Sequence, residues 1–568
     1  MLQKKVDYYL RDDEGNKISL QINGDKFTIL LKEEDPTKRK ELALNLKKIV
    51  GGADLEKLSE KIYRVNYSDP NSYAEIDRAM ERIRKEMPHA LPYYTYNAQG
   101  NDLGVYYVTD RIIVTLNSAI SRTKIELLAK KYQLKTTRKF DPKDDIVVFE
   151  MLPGNSANVI EIANRIEDEE KDVEIAEPSM VNMFTKTIPP PGEETVRLPR
   201  PTDGLFESQW NLNSVAGDGI LGDAGVNASD AWNALGNGGD PAMVIAVIDF
   251  GFDINHPDLV NKRSNVNLTE FDFVTPEFPF PTPNINFFDH GTQCAGIAIA
   301  ERNGTGVVGV AYGCSFVPVR IPPSPTDDQL LDSFKAIRHE ADVVSCSFAP
   351  GIDNHHLNRS LSRLLTKIAK DEGRRGKGCV ICFSAGNNNL PLNLQVVNFQ
   401  YSLRGVPQDL YTGLIKNRFA SHPAVIAVAA STSGNNKAKY SDWGKEVCVC
   451  APSSDFIFEP TDIIGPGIAT TSTLGELQGG RYTKKFGGTS AATPLVAGIA
   501  ALVLSANPSL KAKDVKSILQ GTADKINLGS PQLAGTQGEY DNREHSDWFG
   551  FGKVNAAKAV VRAIATLS

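Results

Sequence analysis

Four side chains in this sequence have the types and settings that acyl-transfer chemistry needs: Asp249, His290, Asn387 and Ser490. Ser490 closes a Gly487-Gly488-Thr489-Ser490 turn that runs directly into a small-residue apolar stretch reaching Ala500. A serine so placed serves either as an N-cap for the coming helix or as a nucleophile, because the exposed amides and positive dipole end beside it favour a developing oxyanion. Asp249 stands at the carboxyl end of the apolar run Val244 to Ile248, and His290 sits in Asp289-His290-Gly291-Thr292 at the head of a small-residue helical pattern. Imidazole titrates near neutrality and can take a hydroxyl proton and return it to a leaving group. Asn387 ends the run Cys382 to Asn387, and its amide is a neutral donor that can face developing negative charge without quenching a base. Each residue alone also has a structural reading, as a turn Asp, a core His or a turn Asn. His256, His339, His355, His356, His422 and His545 lack a comparable setting and are read as packing or surface residues.

The elements that would position these groups fall after a proline-rich stretch. Strand-like runs over Met243 to Ile248, Ser315 to Val319, Val343 to Phe348, Val380 to Phe383 and Val425 to Ala430 alternate with helical patterns. Near-continuous apolar strands separated by helices predict an α/β domain, a mostly parallel sheet with helices on both faces. The carboxyl ends of such strands line the ligand crevice, which is where Asp249 and Asn387 fall. Residues 205–568 form this domain, and the prolines at 189–191, 199 and 201 mark 187–204 as a stiff linker. Before it, 104–186 carries the order β-α-β-β-α-β of a ferredoxin-like unit, starting at Tyr106 to Leu116 and ending at Val173 to Ala176. Residues 1–103 read as a small α+β module. A hairpin is expected from Lys17 to Leu31 turning at Asn23-Gly24, with helices from Lys38, over Leu55 to Val65, and over Ser72 to Met87.

A net charge of −7 over 568 residues gives no reason to expect nucleic acid or an anionic membrane as partner. The first residues run from lysines into charged positions, unlike a secretory signal, and the longest apolar run, Val496 to Leu504, reads as a buried helix. The seven cysteines, an odd number all beyond residue 290, predict reduced thiols and a cytoplasmic setting. Cys379 and Cys382 have CxxC spacing but fall inside a strand-like run, so buried thiols are expected there.

Asp, His and Ser in that chain order is the arrangement of subtilisin, itself the reference case for it. Four segments carry the likeness: Asp249-Phe250-Gly251 with His256-Pro257-Asp258-Leu259, His290-Gly291-Thr292 with Ala295-Gly296, Ser384-Ala385-Gly386-Asn387, and Gly488-Thr489-Ser490 with Ala492 and Pro494. Over 205–568 the sequence resembles the subtilisin-like serine proteases. The resemblance implies peptide-bond hydrolysis with Ser490 as nucleophile, His290 as base then acid, Asp249 orienting the imidazole, and Asn387 as oxyanion donor. It also implies that Ser347, Phe348 and Ala349 pair with extended polypeptide substrate, and that Cys294 corresponds to the free cysteine of thiol-dependent relatives. No cofactor is needed for the chemistry. Structural calcium is compatible with the family, yet no carboxylate cluster in the sequence names its ligands. The 104–186 unit resembles the family's propeptides, chaperone and inhibitor of the enzyme; either cleavage falls between Asn182 and Arg200, or the unit stays attached because the prolines at 189–191 make a poor protease substrate. Residues 1–103 offer a surface for a protein partner. A transpeptidase or macrocyclase of the same family, and a permanently masked peptide-binding protein, are the alternative readings.

Overall fold

The computed structural model describes residues 8–567 apart from 181–200, 265–284, 350–356, 456–464, 529–535 and shorter breaks, mostly within the first 160 residues. The amino-terminal part runs β1 (Tyr8–Arg11), β2 (Lys17–Leu31), α1 (Pro36–Ile49), β3 (Asp54–Lys57), β4 (Ile62–Asn66), α2 (Tyr73–Glu86) and β5 (Ala90–Ala98). It continues with β6 (Val105–Leu116), α3 (Arg122–Lys131), β7 (Leu134–Thr136), β8 (Ile146–Met151), α4 (Val159–Glu169) and β9 (Val173–Met180). The expected hairpin at Asn23-Gly24 does not form. Both halves of β2 pair antiparallel with β5, and residues 23–26 are taken up as an irregularity between Ile22↔Tyr96 and Phe27↔Tyr94. The Asn-Gly signal therefore marks a bulge, with Asn23 accepting from the Asp25 amide at 3.1 Å. The helix expected over Leu55 to Val65 is also absent. β3 and β4 occupy that span because Ile62, Tyr63 and Val65 are β-formers whose burial completes a sheet face, which outweighs a weak helical spacing.

Pairing of β5 with β6 at Thr95↔Tyr107, Tyr96↔Tyr106 and Asn97↔Val105 makes one continuous sheet of 1–103 and 104–186. Within its second half the strand order is β7-β8-β6-β9, with β6 flanked by β8 and β9. The expected linker lies almost wholly outside the described residues, as does the stretch in which cleavage was expected.

The second half contains α5 (Ala228–Leu235), β10 (Val244–Asp249), α6 (Ile285–Ile299), β11 (Ser315–Arg320), α7 (Asp327–Ile337), β12 (Val343–Cys346), α8 (Arg359–Lys370) and β13 (Val380–Ser384). A ribbon follows, of β14 (Asn393–Phe399), β15 (Ser402–Leu403), β16 (Val406–Pro407) and β17 (Tyr411–Lys416). The remainder is β18 (Ile426–Ser431), β19 (Val447–Pro452), β20 (Ile468–Thr471), β21 (Tyr482–Phe486), α9 (Thr489–Ala506), α10 (Ala512–Gly521) and α11 (Ala556–Ile564). The main sheet is ordered β11-β10-β12-β13-β18-β19, and every neighbouring pair is parallel. Alternate residues of β10 separate two cores. Ile245 and Val247 join α5, α6, α9 and α11 on one side, while Val244, Ala246 and Ile248 join α7 and α8 on the other. The chain passes to opposite sides of β10 on its way to β11 and β12, so the strand-order reversal, and with it the crevice, lies at the end of β10.

The amino-terminal sheet docks on α7 and α8. Ile113 and Ile146 belong to the same apolar core as those helices. Glu177 accepts from the Arg359 backbone amide at 2.6 Å at the start of α8, a favourable site for a carboxylate at a helix N-terminus. Arg359 also pairs with Glu177 at 3.0 Å and with Glu167. At the start of α7, Asp328 accepts from Ser179 at 2.7 Å and pairs with Arg111, while Asp327 accepts from the Met180 amide at 3.0 Å.

Candidate active site

Asp249 is fully buried at the end of β10, and its Oδ1 accepts from the Phe250 amide at 2.8 Å. Its two carboxylate oxygens lie 2.8 and 3.0 Å from His290 Nδ1. A carboxylate only accepts, so the network puts the imidazole proton on Nδ1 and leaves Nε2 with its lone pair, the form a general base needs. The ring is enclosed by Phe250 at 6.0 Å and by the edge of Phe486 at 5.5 Å. Gly291 allows this approach, since a Cβ there would meet the Gly251 carbonyl at 2.3 Å and Asp249 Cβ at 3.0 Å. Asp289, buried one residue earlier in the second turn of α6, anchors that turn by accepting from Ser472 at 2.7 Å and from the Thr473 hydroxyl at 3.1 Å.

Ser490 is the second residue of α9, after Gly488 at φ 74°. Its backbone N–H belongs to the first turn, where no intrahelical carbonyl can reach it. Pro494 lies four residues on, and with no N–H it leaves the Ser490 carbonyl without its helical partner. Two other side chains take that carbonyl: Ser347 Oγ donates to it at 3.1 Å and Cys294 Sγ at 3.6 Å. Cys294 also lies 3.8 Å from His290 Nδ1, so this thiol bridges the histidine and the serine turn. The Ser490 hydroxyl itself donates to the Ser347 carbonyl at 3.3 Å.

Asn387 follows β13, and its Oδ1 accepts from the Thr489 amide at 2.8 Å and from the Thr489 hydroxyl at 2.9 Å. A backbone N–H can only donate, so this contact fixes which end of the Asn387 amide is oxygen and turns its NH₂ away from Thr489. The side chain lies against Gly488, where an added Cβ would come 3.3 Å from Nδ2. All four sequence candidates thus converge on the junction of β10, α6, β13 and α9.

Of the expected substrate-binding residues, Ser347 touches the site through the contacts above. The Phe348 ring points into the core instead, edge-on to Phe383 at 5.5 Å and to Phe419 at 6.2 Å, so only its backbone can face a substrate. Ala349 is buried. Asp249, His290 and Cys294 bring a carboxylate oxygen, a ring nitrogen and a sulfur within 4.8 Å of one another. All seven cysteines are buried free thiols, and the Cys379 and Cys382 thiols are both pushed up by burial. Thr489 and Asp289 were not singled out from sequence, and Ser347, expected to bind substrate, also donates to the Ser490 carbonyl. Thr489, adjacent to the serine in its motif, was the more findable of the first two.

Residues 240–552 match the profile described as the Subtilase family, and all four candidates fall in that span. A calcium-dependent protease of Nostoc sp. is 31% identical over 455 residues, covering 76% of this chain and 60% of that protein. One of the same name from Trichormus variabilis is 33% identical over 73% of this chain and 58% of its own length. The chain therefore spans 60% or less of these curated relatives. Among solved structures, fervidolysin from Fervidobacterium pennivorans, described as a keratinolytic enzyme related to subtilisin, superposes with a TM-score of 0.55 at 20% identity. That match covers 80% of this chain and 61% of fervidolysin, a likeness of fold.

Proposed function

The chain belongs to the subtilase family, and from that premise we propose that it is a serine endopeptidase whose reaction is carried by Ser490, His290, Asp249 and Asn387. The observation that carries the reading is the buried Asp249–His290 hydrogen bond at 2.8 Å, tied through Cys294 to the serine at the head of α9. In the reaction, the Ser490 hydroxyl leaves the Ser347 carbonyl, gives its proton to His290 Nε2 and attacks the scissile carbonyl. Asp249 holds the Nδ1 proton and stabilises the imidazolium. The oxyanion is met by the Ser490 backbone amide and the Asn387 NH₂, with the α9 dipole adding to both. His290 then protonates the leaving amine, and water resolves the acyl-enzyme by the same route. A casein or peptide substrate tests this. Hydrolysis by the wild type, abolished in Ser490→Ala and His290→Ala, is expected, and persistence in Ser490→Ala overturns it.

The reading extends to the amino-terminal sheet, taken here as a propeptide-like inhibitor with a ferredoxin-like second half and residues 1–103 as an extension of it. Support comes from the carboxylate of Glu177 at the start of α8 and the contacts of Ser179 and Met180 at α7, which bring the end of β9 onto the catalytic half. The buried free thiols support a reducing, cytoplasmic setting.

Calcium enters through the relatives' names, and the chain offers hard oxygen donors that fit it. Asp203 is buried, with Oδ2 lacking a hydrogen-bond partner among the described residues and Oδ1 accepting from the Asn303 and Gly304 amides at 3.0 Å. Asp258 is fully buried nearby, accepting from Asn303 Nδ2 at 3.3 Å, and burial with the Asp203 charge pushes its carboxyl up to about 7. Burial raises both carboxyls, and the Asp203 charge adds to the rise at Asp258, a setting that suits a divalent cation held by Asp203, Asp258 and Asn303. Bound there, the ion would brace the start of the catalytic half and take no part in the chemistry.

A further inference from the structure

Asp442 is a buried acidic group that the reaction as described leaves unused, and it lies directly behind the segment carrying Asn387. Its Oδ1 accepts from the Asn388 amide at 2.8 Å and from the Leu390 amide at 2.9 Å. Its own amide donates to the Gly386 carbonyl at 3.0 Å. One residue therefore pins the main chain immediately before and immediately after Asn387. Gly386 is at φ 118°, and a Cβ on it would lie 2.1 Å from Asp442 Oδ2, so the carboxylate fills the space that the loop's conformation leaves. Flanking residues extend the template. The Asn389 amide donates to the Tyr440 carbonyl at 2.7 Å, the Trp443 amide to the Leu390 carbonyl at 3.0 Å, and Trp443 Nε1 to the Asn389 carbonyl at 3.2 Å.

The chemistry of the group matches this task. A carboxylate is an acceptor with no competing donor, and charge strengthens bonds from backbone N–H groups that converge on a single oxygen. Burial pushes the Asp442 carboxyl up to about 7, against the lowering effects of the loop amides and of Lys437. Lys437 is the charged group facing it, and Asp455 faces Lys437 in turn. Lys437 also donates to Asn389 Oδ1 at 2.8 Å, so the same segment grips the loop's side chain as well as its backbone. A fully desolvated acid is costly to keep in a core, and here its hydrogen bonds converge on the three residues around the oxyanion donor.

We propose that Asp442 is a positioning residue for the oxyanion hole: it fixes the loop from Gly386 to Leu390 so that the Asn387 NH₂ is preset for the transition state. The proposal rests on the acyl-transfer role given to Asn387. Because the oxyanion forms only in the transition state, misplacing its donor lowers kcat and leaves KM nearly unchanged.

The test is a double-mutant cycle on the full chain with a chromogenic peptide, reading kcat and KM separately. Asp442→Ala is expected to lower kcat by about ten- to a hundredfold with little change in KM. Asp442→Asn, which keeps an oxygen acceptor for the two amides, is expected to recover part of that loss. In an Asn387→Ala background both substitutions are expected to cost nothing further, because the donor they position is gone. Should Asp442→Ala fail to fold, Asp442→Asn carries the cycle with a smaller loss that must likewise vanish in the Asn387→Ala background. Additive losses, a change confined to KM, or a kcat for Asp442→Ala equal to wild type would each overturn the proposal. Full activity of Asn387→Ala alone would overturn the oxyanion reading beneath it.

Discussion

Replacing Asn387 separates two jobs that its side chain performs with opposite ends. Its oxygen accepts from the amide and hydroxyl of Thr489, and Thr489 is fully buried. Its nitrogen is the proposed oxyanion donor. Asn387→Ala removes both, leaving two buried donors unpaired, which costs on the order of 1–3 kcal/mol of stability. It also lowers kcat by about 10²–10³, a magnitude measured on the corresponding asparagine of subtilisin, a member of this same family, and carried over here. Asn387→Asp keeps an acceptor for Thr489, and at a helix N-terminus the added charge is favourable. Stability should therefore return to near wild type. The donor has become an anion, and a unit charge about 4 Å from the oxyanion at an effective dielectric of about 20 adds roughly 4 kcal/mol of repulsion. Asn387→Asp should thus be the more stable of the two variants and the slower enzyme at pH 8. Thermal melts and steady-state kinetics on both proteins decide it. An Asn387→Asp enzyme that is faster than Asn387→Ala, or equally destabilised, would refute the division of labour.

Mercurials should inactivate the wild type through Cys294, since metal on that sulfur would compete with Asp249 for His290, and Cys294→Ala should resist them; equal inhibition of the two proteins counts against this. Glu177→Ala, which removes the acceptor of the Arg359 amide at the start of α8 and one of the two carboxylates paired with the Arg359 side chain, should loosen the amino-terminal sheet and raise peptidase activity of the intact chain several-fold, with no change after that sheet has been removed by proteolysis. Chelators should lower the melting temperature of the wild type and restore it on adding calcium, whereas Asp203→Asn should show a smaller response to both. The Asp442 carboxyl is raised to about 7 in the fold from about 3.9 in the open chain, so the folded state holds a proton that the unfolded state has lost. That contribution is complete below about pH 4 and disappears as the pH climbs through 7, so Asp442→Asn should gain stability relative to wild type between pH 5 and pH 8 in melting experiments.

What was legible in the sequence was the part written in short local signals. The apolar runs named β10, β11, β12, β13 and β18 because a strand buried on both faces has few alternatives to Val, Ile and Ala. Asp249 and Asn387 were findable because strand ends in a parallel sheet meet at one crevice. The hairpin at Asn23-Gly24 and the helix over Leu55 to Val65 failed for a common reason. Each was a weak local preference that pairing with a distant strand, β5 for the first and β2 for β4, could override. Asp203 and Asp258 are 55 positions apart and meet only through the loop bearing Asn303, so no ligand spacing was present to read. Nothing in Ser441-Asp442-Trp443-Gly444 itself sets Asp442 apart, because its significance comes from amides that a separate loop presents to it. For Phe348 the expectation concerned pairing of its backbone with substrate, and the packing of its ring against Phe383 and Phe419 is compatible with that.

Whether Ser490 is the nucleophile, activated by His290, is tested most directly by a fluorophosphonate probe followed by peptide mass spectrometry. One adduct is expected, on the peptide carrying Ser490, strengthened after limited proteolysis of the amino-terminal sheet and lost in both Ser490→Ala and His290→Ala. An adduct on another residue, or hydrolytic activity in protein whose Ser490 stays unlabelled, would contradict it.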